Sequence, residues 1–114
     1  MTTIDIEKLI SSVPTQLFID GQWRDGSGGA TIEVRNPATG EVLTNVADAT
    51  GEDALAALAA ASEAQASWAA TPPRERSDIL RKAYEMLVER TEEFAALMTL
   101  EMGKPLAEAR GEVA

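Results

Sequence analysis

The chain has 114 residues, 10 basic and 19 acidic, for a net charge of -9, and contains neither cysteine nor histidine. Its size suits one small domain, able to bury about two thirds of its unfolded surface, and its charge repels phosphate backbones and anionic lipid, so neither nucleic acid nor membrane is an expected partner. Disulfides, thiolate chemistry, a Ser/His dyad and zinc sites built from the usual ligands are all excluded by composition.

Met1 to Val13 carries Asp5, Glu7 and Lys8 among its apolar residues and lacks the basic head and apolar stretch of a signal peptide. The longest apolar run, Ala54 to Ala61, is far too short to cross a bilayer. A cytoplasmic setting is expected. Ile6, Leu9, Ile10 and Val13 recur at helical spacing before Pro14, which predicts a short amphipathic helix or else a disordered arm over residues 1–16.

Leu17–Ile19 and Gln22–Arg24 flank Asp20-Gly21, and Asp-Gly suits a two-residue hairpin turn because both central positions need positive φ. Gly26, Ser27, Gly28 and Gly29 read as a flexible, solvated loop. Ile32 and Val34 alternate with Thr31, Glu33 and Arg35 as a half-buried strand does. Asn36 to Gly40 turn the chain, with Pro37 fixing φ and Gly40 closing the bend, and Val42 to Val46 form the returning strand.

From Thr50 the apolar period lengthens to that of a helix. Thr50 with Asp53 resembles a capping box, opening an alanine-rich helix that runs to about Trp68. Thr71, Pro72 and Pro73 start a second helix, with Ile79, Leu80, Ala83, Met86 and Leu87 on one face and an expected Asp78–Lys82 pair. Thr91, Glu92 and Glu93 start a third, because carboxylates complement the positive end of the helix dipole. Phe94, Leu97 and Met98 supply its buried face, and Gly103 ends it in a left-handed conformation. A fourth helix, with proline in its first turn, is expected over Lys104 to Ala114. It shows no closing signal, so the chain reads as the start of something larger.

The candidate chemical groups mostly have ordinary structural readings. Gly103-Lys104 is not a phosphate loop, since Met98 and Pro105 stand where that loop needs Gly and Ser or Thr. Thr31 occupies the third glycine position of a dinucleotide fingerprint begun at Gly26. Glu108 and Glu112 lie one turn apart and could share a proton or cation, but beside Lys104 and Arg110 they read as a charged helix face, as Glu92 and Glu93 read as a helix start. Ser11, Ser12, Ser62 and Ser67 have no histidine to activate them. Trp23 and Trp68 are expected to anchor the core in place of serving as ligand platforms. No catalytic, cofactor-binding or metal-binding residue is assigned in this chain from its sequence.

Leu17, Phe18, Ile19, Asp20, Gly21, Gln22 and Trp23, followed by Asn36, Pro37, Ala38, Thr39, Gly40, Glu41 and Val42, resemble the N-terminal opening of the NAD(P)-dependent aldehyde dehydrogenase superfamily. Trp68, Pro73–Arg76, Ile79–Arg81 and Met98–Leu106 follow that family's order and spacing, and Leu106–Val113 is most similar to its succinate-semialdehyde dehydrogenases. The resemblance implies an α/β fold class, with residues 17–114 forming the incomplete N-terminal part of the coenzyme-binding region, β-hairpins followed by about four helices. It implies an oxidoreductase that converts succinate semialdehyde, or a related aldehyde, to the acid with NADP or NAD. Its partners would be the remainder of the same enzyme and a small-molecule aldehyde, in a homo-oligomer at full length.

In that family a cysteine thiolate attacks the aldehyde, an oxyanion hole stabilises the adduct, hydride passes to nicotinamide, and a glutamate activates water. None of these groups has a counterpart in this chain, so no cofactor binding or catalysis is expected of these residues alone. Two lesser expectations come with the resemblance. A monovalent cation could be held by main-chain oxygens of Val34 and Arg35 with the carboxylate of Glu101, and Glu112 would approach the mouth of the substrate channel. The alternative to the enzyme reading is a non-catalytic acidic helical interaction module or truncated gene product, because the apolar residues from Ile79 to Met98 need a covering layer.

Overall fold

A computed structural model describes residues 3–114 as nine elements. These are α1 (Ile6–Ser12), β1 (Leu17–Ile19), β2 (Gln22–Arg24), β3 (Thr31–Arg35), β4 (Val42–Ala47), α2 (Gly51–Ala70), α3 (Pro73–Glu89), α4 (Thr91–Met102) and α5 (Leu106–Val113). The order is the expected one, hairpins and then four helices, with the short N-terminal helix present. Two compact units make up the chain. One holds residues 3–14, Glu33–Thr44 and Leu80–Ala114; the other holds Thr15–Ile32 and Asn45–Ile79. The polypeptide passes from one to the other between Pro14 and Thr15 and again within β3, β4 and α3.

In the second unit, β1 and β2 pair antiparallel with Leu17 opposite Arg24, Phe18 opposite Trp23 and Ile19 opposite Gln22. Asp20 (φ 52°) and Gly21 (φ 75°) make the turn, and Asp20 is the non-glycine residue with positive φ among the described residues. Leu17 and Ile19 are half-buried on one face. Phe18 and Trp23 share the other, with ring centroids 4.9 Å apart at 46°. Trp23 is 52% exposed, which corrects its expected place in the core. A two-stranded sheet has a solvent side, and period-two alternation puts Trp23 on it together with Phe18. Trp68 is half-buried. The helix α2 opens with the complete Thr50/Asp53 capping box and runs two residues beyond Trp68, to Ala70.

The strands β3 and β4 form a separate two-stranded sheet. Val34 is half-buried as its alternation implies, whereas Ile32 is exposed. The intervening turn is closed by main-chain bonds from Gly40 N to Asn36 O (2.7 Å) and from Asn36 N to Glu41 O (2.9 Å). Asn36 Oδ1 accepts from Ala38 N at 2.9 Å, the local side-chain bond that makes asparagine a turn residue.

The first unit is built on α4 and α5. Ala95 and Ala109, one on each helix, have no solvent exposure, and such small residues allow close helix approach. Phe94, Leu97 and Met98 are half-buried around them. Gly103 (φ 79°) caps α4, its N–H donating to Thr99 O at 3.0 Å, and a Cβ there would lie 3.2 Å from Pro37 Cγ, which brings the Asn-Pro turn against the Gly-Lys-Pro segment. Pro105 is the N-cap of α5, one residue before its first turn. On α1, Asp5 caps the helix by accepting from Lys8 N, and Leu9 is its buried anchor. No residue of α3 is buried; Ile79, Leu80, Met86 and Leu87 are all exposed. The ion pair on this helix joins Arg81 to Glu85 at 3.2 Å in place of the expected Asp78–Lys82 pair.

Candidate functional site

Among the described residues, polar contacts concentrate in the second unit at Asp53, which is 1% exposed. Its Oδ2 accepts from Thr50 N at 2.8 Å and from Thr50 Oγ1 at 3.1 Å, the reciprocal half of the helix cap. Ser27 N donates to both carboxylate oxygens, at 3.2 and 3.0 Å, and Ser27 Oγ donates to Oδ2 at 3.3 Å. Arg24 Nη2 reaches Oδ1 at 2.9 Å. Donation from the main chain of Thr50 and of Ser27 outweighs the opposing effect of burial and holds the Asp53 carboxyl down at about 2. This group is ionised throughout the neutral range and every bond to it is received. It cannot shuttle protons there. It fixes the end of β2, the glycine-rich segment and the start of α2 to one point.

The glycine-rich segment is solvent-exposed at Ser27, Gly28 and Gly29, as its composition suggests, but it is anchored at Gly26 and Ser27. Gly26 is buried, and a Cβ on it would stand 2.5 Å from the main-chain oxygen of Asp48. Gly29 N donates to Gly26 O at 2.9 Å, closing a turn. Because Ser27 N–H is committed to Asp53, the segment does not present a set of free amides to a nucleotide phosphate.

In the first unit the charged groups link α4 to α5. Arg110 holds Glu92 through two bonds, Nε to Oε1 at 2.8 Å and Nη2 to Oε2 at 2.9 Å, and this guanidinium keeps the Glu92 carboxyl below its usual range. Lys104 pairs with Glu112. Glu112 is therefore engaged by lysine, and Glu108 is exposed in the first turn of α5. Glu93 pairs with Arg90 at 2.6 Å.

The remaining candidates have ordinary local partners. Ser11 Oγ donates to Lys8 O, Ser12 Oγ to Leu9 O and Ser67 Oγ to Ala64 O. The guanidinium of Arg35 binds Gly40 O and pairs with Glu33, and Glu101 is exposed near the end of α4. Among the described residues no cluster of three His, Cys, Asp or Glu is placed to hold a metal ion. No described helix is long and apolar enough to cross a membrane.

The charged groups of this frame of hairpins and helices hold its elements to one another. Its identity comes from comparison with known proteins. The model of the aldehyde dehydrogenase family matches residues 23–114, and the chain belongs to that family. It is 64% identical over 73 residues to succinate-semialdehyde dehydrogenase of Paenarthrobacter nicotinovorans, covering 64% of this chain and 16% of that protein. It is 46% identical over 99 residues to glutarate-semialdehyde dehydrogenase of Pseudomonas putida, covering 87% of this chain and 21% of that protein. The crystal structure of betaine aldehyde dehydrogenase from Staphylococcus aureus in complex with NAD+ matches with a TM-score of 0.91 at 30% identity, covering 95% of this chain and 22% of that one. The chain thus spans between 16% and 22% of the length of these relatives.

Proposed function

We propose that this chain is the N-terminal part of an oxidoreductase that oxidises succinate semialdehyde, or a closely related semialdehyde, to the acid with NADP or NAD. The observation that carries this reading is the 64% identity to a succinate-semialdehyde dehydrogenase. The glutarate-semialdehyde dehydrogenase relative supports the same substrate class with one more carbon, an aldehyde bearing a distant carboxylate. Within such an enzyme these residues act as scaffold, because the chain has no cysteine to serve as nucleophile. The remainder of the enzyme is then its principal partner.

The test is steady-state formation of reduced nicotinamide by the enzyme that carries these residues, with succinate, glutarate and betaine aldehydes compared under both coenzymes. A kcat/KM favouring the two semialdehydes is expected, and a clear preference for betaine aldehyde overturns the substrate assignment. The 114-residue chain alone is expected to give no turnover; activity that copurifies with it defeats the scaffold role.

A second reading, a non-catalytic acidic helical module or truncated gene product, draws on the exposed apolar face of α3. Size-exclusion chromatography and ANS binding separate the two. A compact monomer that binds no dye supports an independent domain, and strong dye binding supports a part that needs the rest of its enzyme.

A further inference from the structure

Two Asp-Gly dipeptides lie close together in the second unit, Asp20-Gly21 and Asp25-Gly26. In this dipeptide the main-chain amide can attack the preceding carboxyl, because glycine places no side chain in the way. The glycine nitrogen bonds to Cγ of the aspartic acid. The carboxyl hydroxyl leaves as water with the amide hydrogen, and a five-membered succinimide closes. Solvent water then opens either carbonyl, returning aspartate or giving isoaspartate, whose main chain runs through Cγ. No electrons are exchanged.

We propose that the fold makes Asp20 the site of isoaspartate formation in this chain and protects Asp25. Asp20 and Gly21 are exposed, no hydrogen bond or ion pair engages the Asp20 carboxylate among the described residues, and nothing lies within 4 Å of the position a Gly21 Cβ would take. Attack requires the Gly21 nitrogen to swing toward Asp20 Cγ, so the turn must open. Opening it disturbs three residue pairs, with all of β2 exposed and Phe18 and Trp23 already largely in solvent. A short two-stranded hairpin is marginal by itself, and such segments open locally without global unfolding.

Asp25 has the same neighbour and the opposite surroundings. Its Oδ1 accepts from Gln16 Nε2 at 2.9 Å. Gly26 is buried against Asp48 O, its own carbonyl accepts from Gly29 N, and the next amide, Ser27 N, is tied to Asp53. Moving the Gly26 nitrogen means undoing that anchorage. Modification at Asp20 would insert a main-chain carbon into a two-residue turn whose length sets the hairpin register, and so would displace the Phe18–Trp23 pairing.

The experiment holds the enzyme that carries these residues at neutral pH and moderate warmth for days, in native buffer and in denaturant, then digests it with trypsin. Cleavage after Arg24 puts the two dipeptides on separate peptides, and any uncut peptide spanning Arg24 is scored as well. Isoaspartyl forms are separated from their aspartyl isomers by reversed-phase chromatography and located by fragmentation. In native buffer isoaspartate should accumulate at Asp20 and lag at Asp25; in denaturant the difference should vanish. Asp20→Glu, whose longer side chain disfavours the ring closure, should lose the Asp20 product and leave Asp25 unchanged. Equal accumulation at both sites in native buffer, or Asp25 reacting first, overturns the proposal.

Discussion

Replacing Gly26 with alanine tests whether the glycine-rich segment is anchored or free. The added methyl would stand 2.5 Å from Asp48 O and 3.3 Å from Asp48 C, both main-chain atoms that cannot swing aside as a side-chain tip can. Relief requires moving either the strand exit at Asp48 or the turn that presents Ser27 to Asp53. Overpacking of this kind costs about 1–3 kcal/mol. For a chain of this size that corresponds to a loss in Tm on the order of 10 °C. Gly28 supplies the control from the same segment. Its φ is not positive, and a Cβ there meets Thr50 Cγ2 at 3.6 Å, an ordinary contact. Gly28→Ala should therefore be neutral, or stabilising by about 0.4–1 kcal/mol through the unfolded chain. Far-UV circular dichroism followed through thermal and urea unfolding measures both variants. A Gly26→Ala variant as stable as the parent, or a Gly28→Ala variant equally damaged, would refute the anchored segment.

Gly103→Ala forces an L side chain into φ 79° and against Pro37, and should cost about 1–2 kcal/mol in urea unfolding from the left-handed strain alone. Ala109→Leu inserts a large side chain where there is no exposed surface; a loss of about 1–3 kcal/mol is expected in the same assay, against little change for Ala107→Leu on the exposed side of α5. The carboxyl of Asp53 sits at about 2 when folded and 3.8 ordinarily, so the unfolded chain binds the extra proton between these values. Its contribution is complete above about pH 4–5 and is lost as pH falls toward 2, and urea midpoints measured across that range should fall less steeply in Asp53→Asn than in the parent.

What could be read from the sequence was local. The Asp20-Gly21 turn, the Thr50/Asp53 cap and the Gly103 stop each depend on residues within a few positions, and the geometry of a turn or helix end is enough to imply them. The long-range role of Asp53 was not readable. Its bonds to Ser27 and Arg24 span 26 and 29 residues, and glycine-rich composition looks the same whether a segment is loose or glycine is needed for close approach. Trp23 misled because a large aromatic is usually buried, while the strand's alternation and its pairing with Phe18 decided its side. On α3 an acidic residue and a basic one stand four apart at both Asp78–Lys82 and Arg81–Glu85, and spacing alone does not choose between them. For the candidate site, composition shows only that the chain has no cysteine to act as a thiolate nucleophile. The family was carried by the runs around Asp20-Gly21, Asn36-Pro37 and Gly103-Lys104-Pro105; the family model, matching residues 23–114, covers the second and third of these.

The Asp53 cluster also bears on how this segment can tolerate change in length. Between Ser27 and Thr50, whose hydroxyls meet at 2.6 Å, the chain leaves and returns to one spot, and Asp48 N donates to Ala30 O at 2.9 Å just inside. Residues 31–47 thus form an excursion with both feet pinned. Lengthening its turn at 37–40 leaves those feet in place, and for a flexible insertion the closure entropy grows by only about 0.6 kcal/mol per doubling of loop length. A single carboxylate in this way anchors both ends of the β3–β4 excursion, and an extension at its tip has to respect the packing of Pro37 against Gly103 instead of the start of α2.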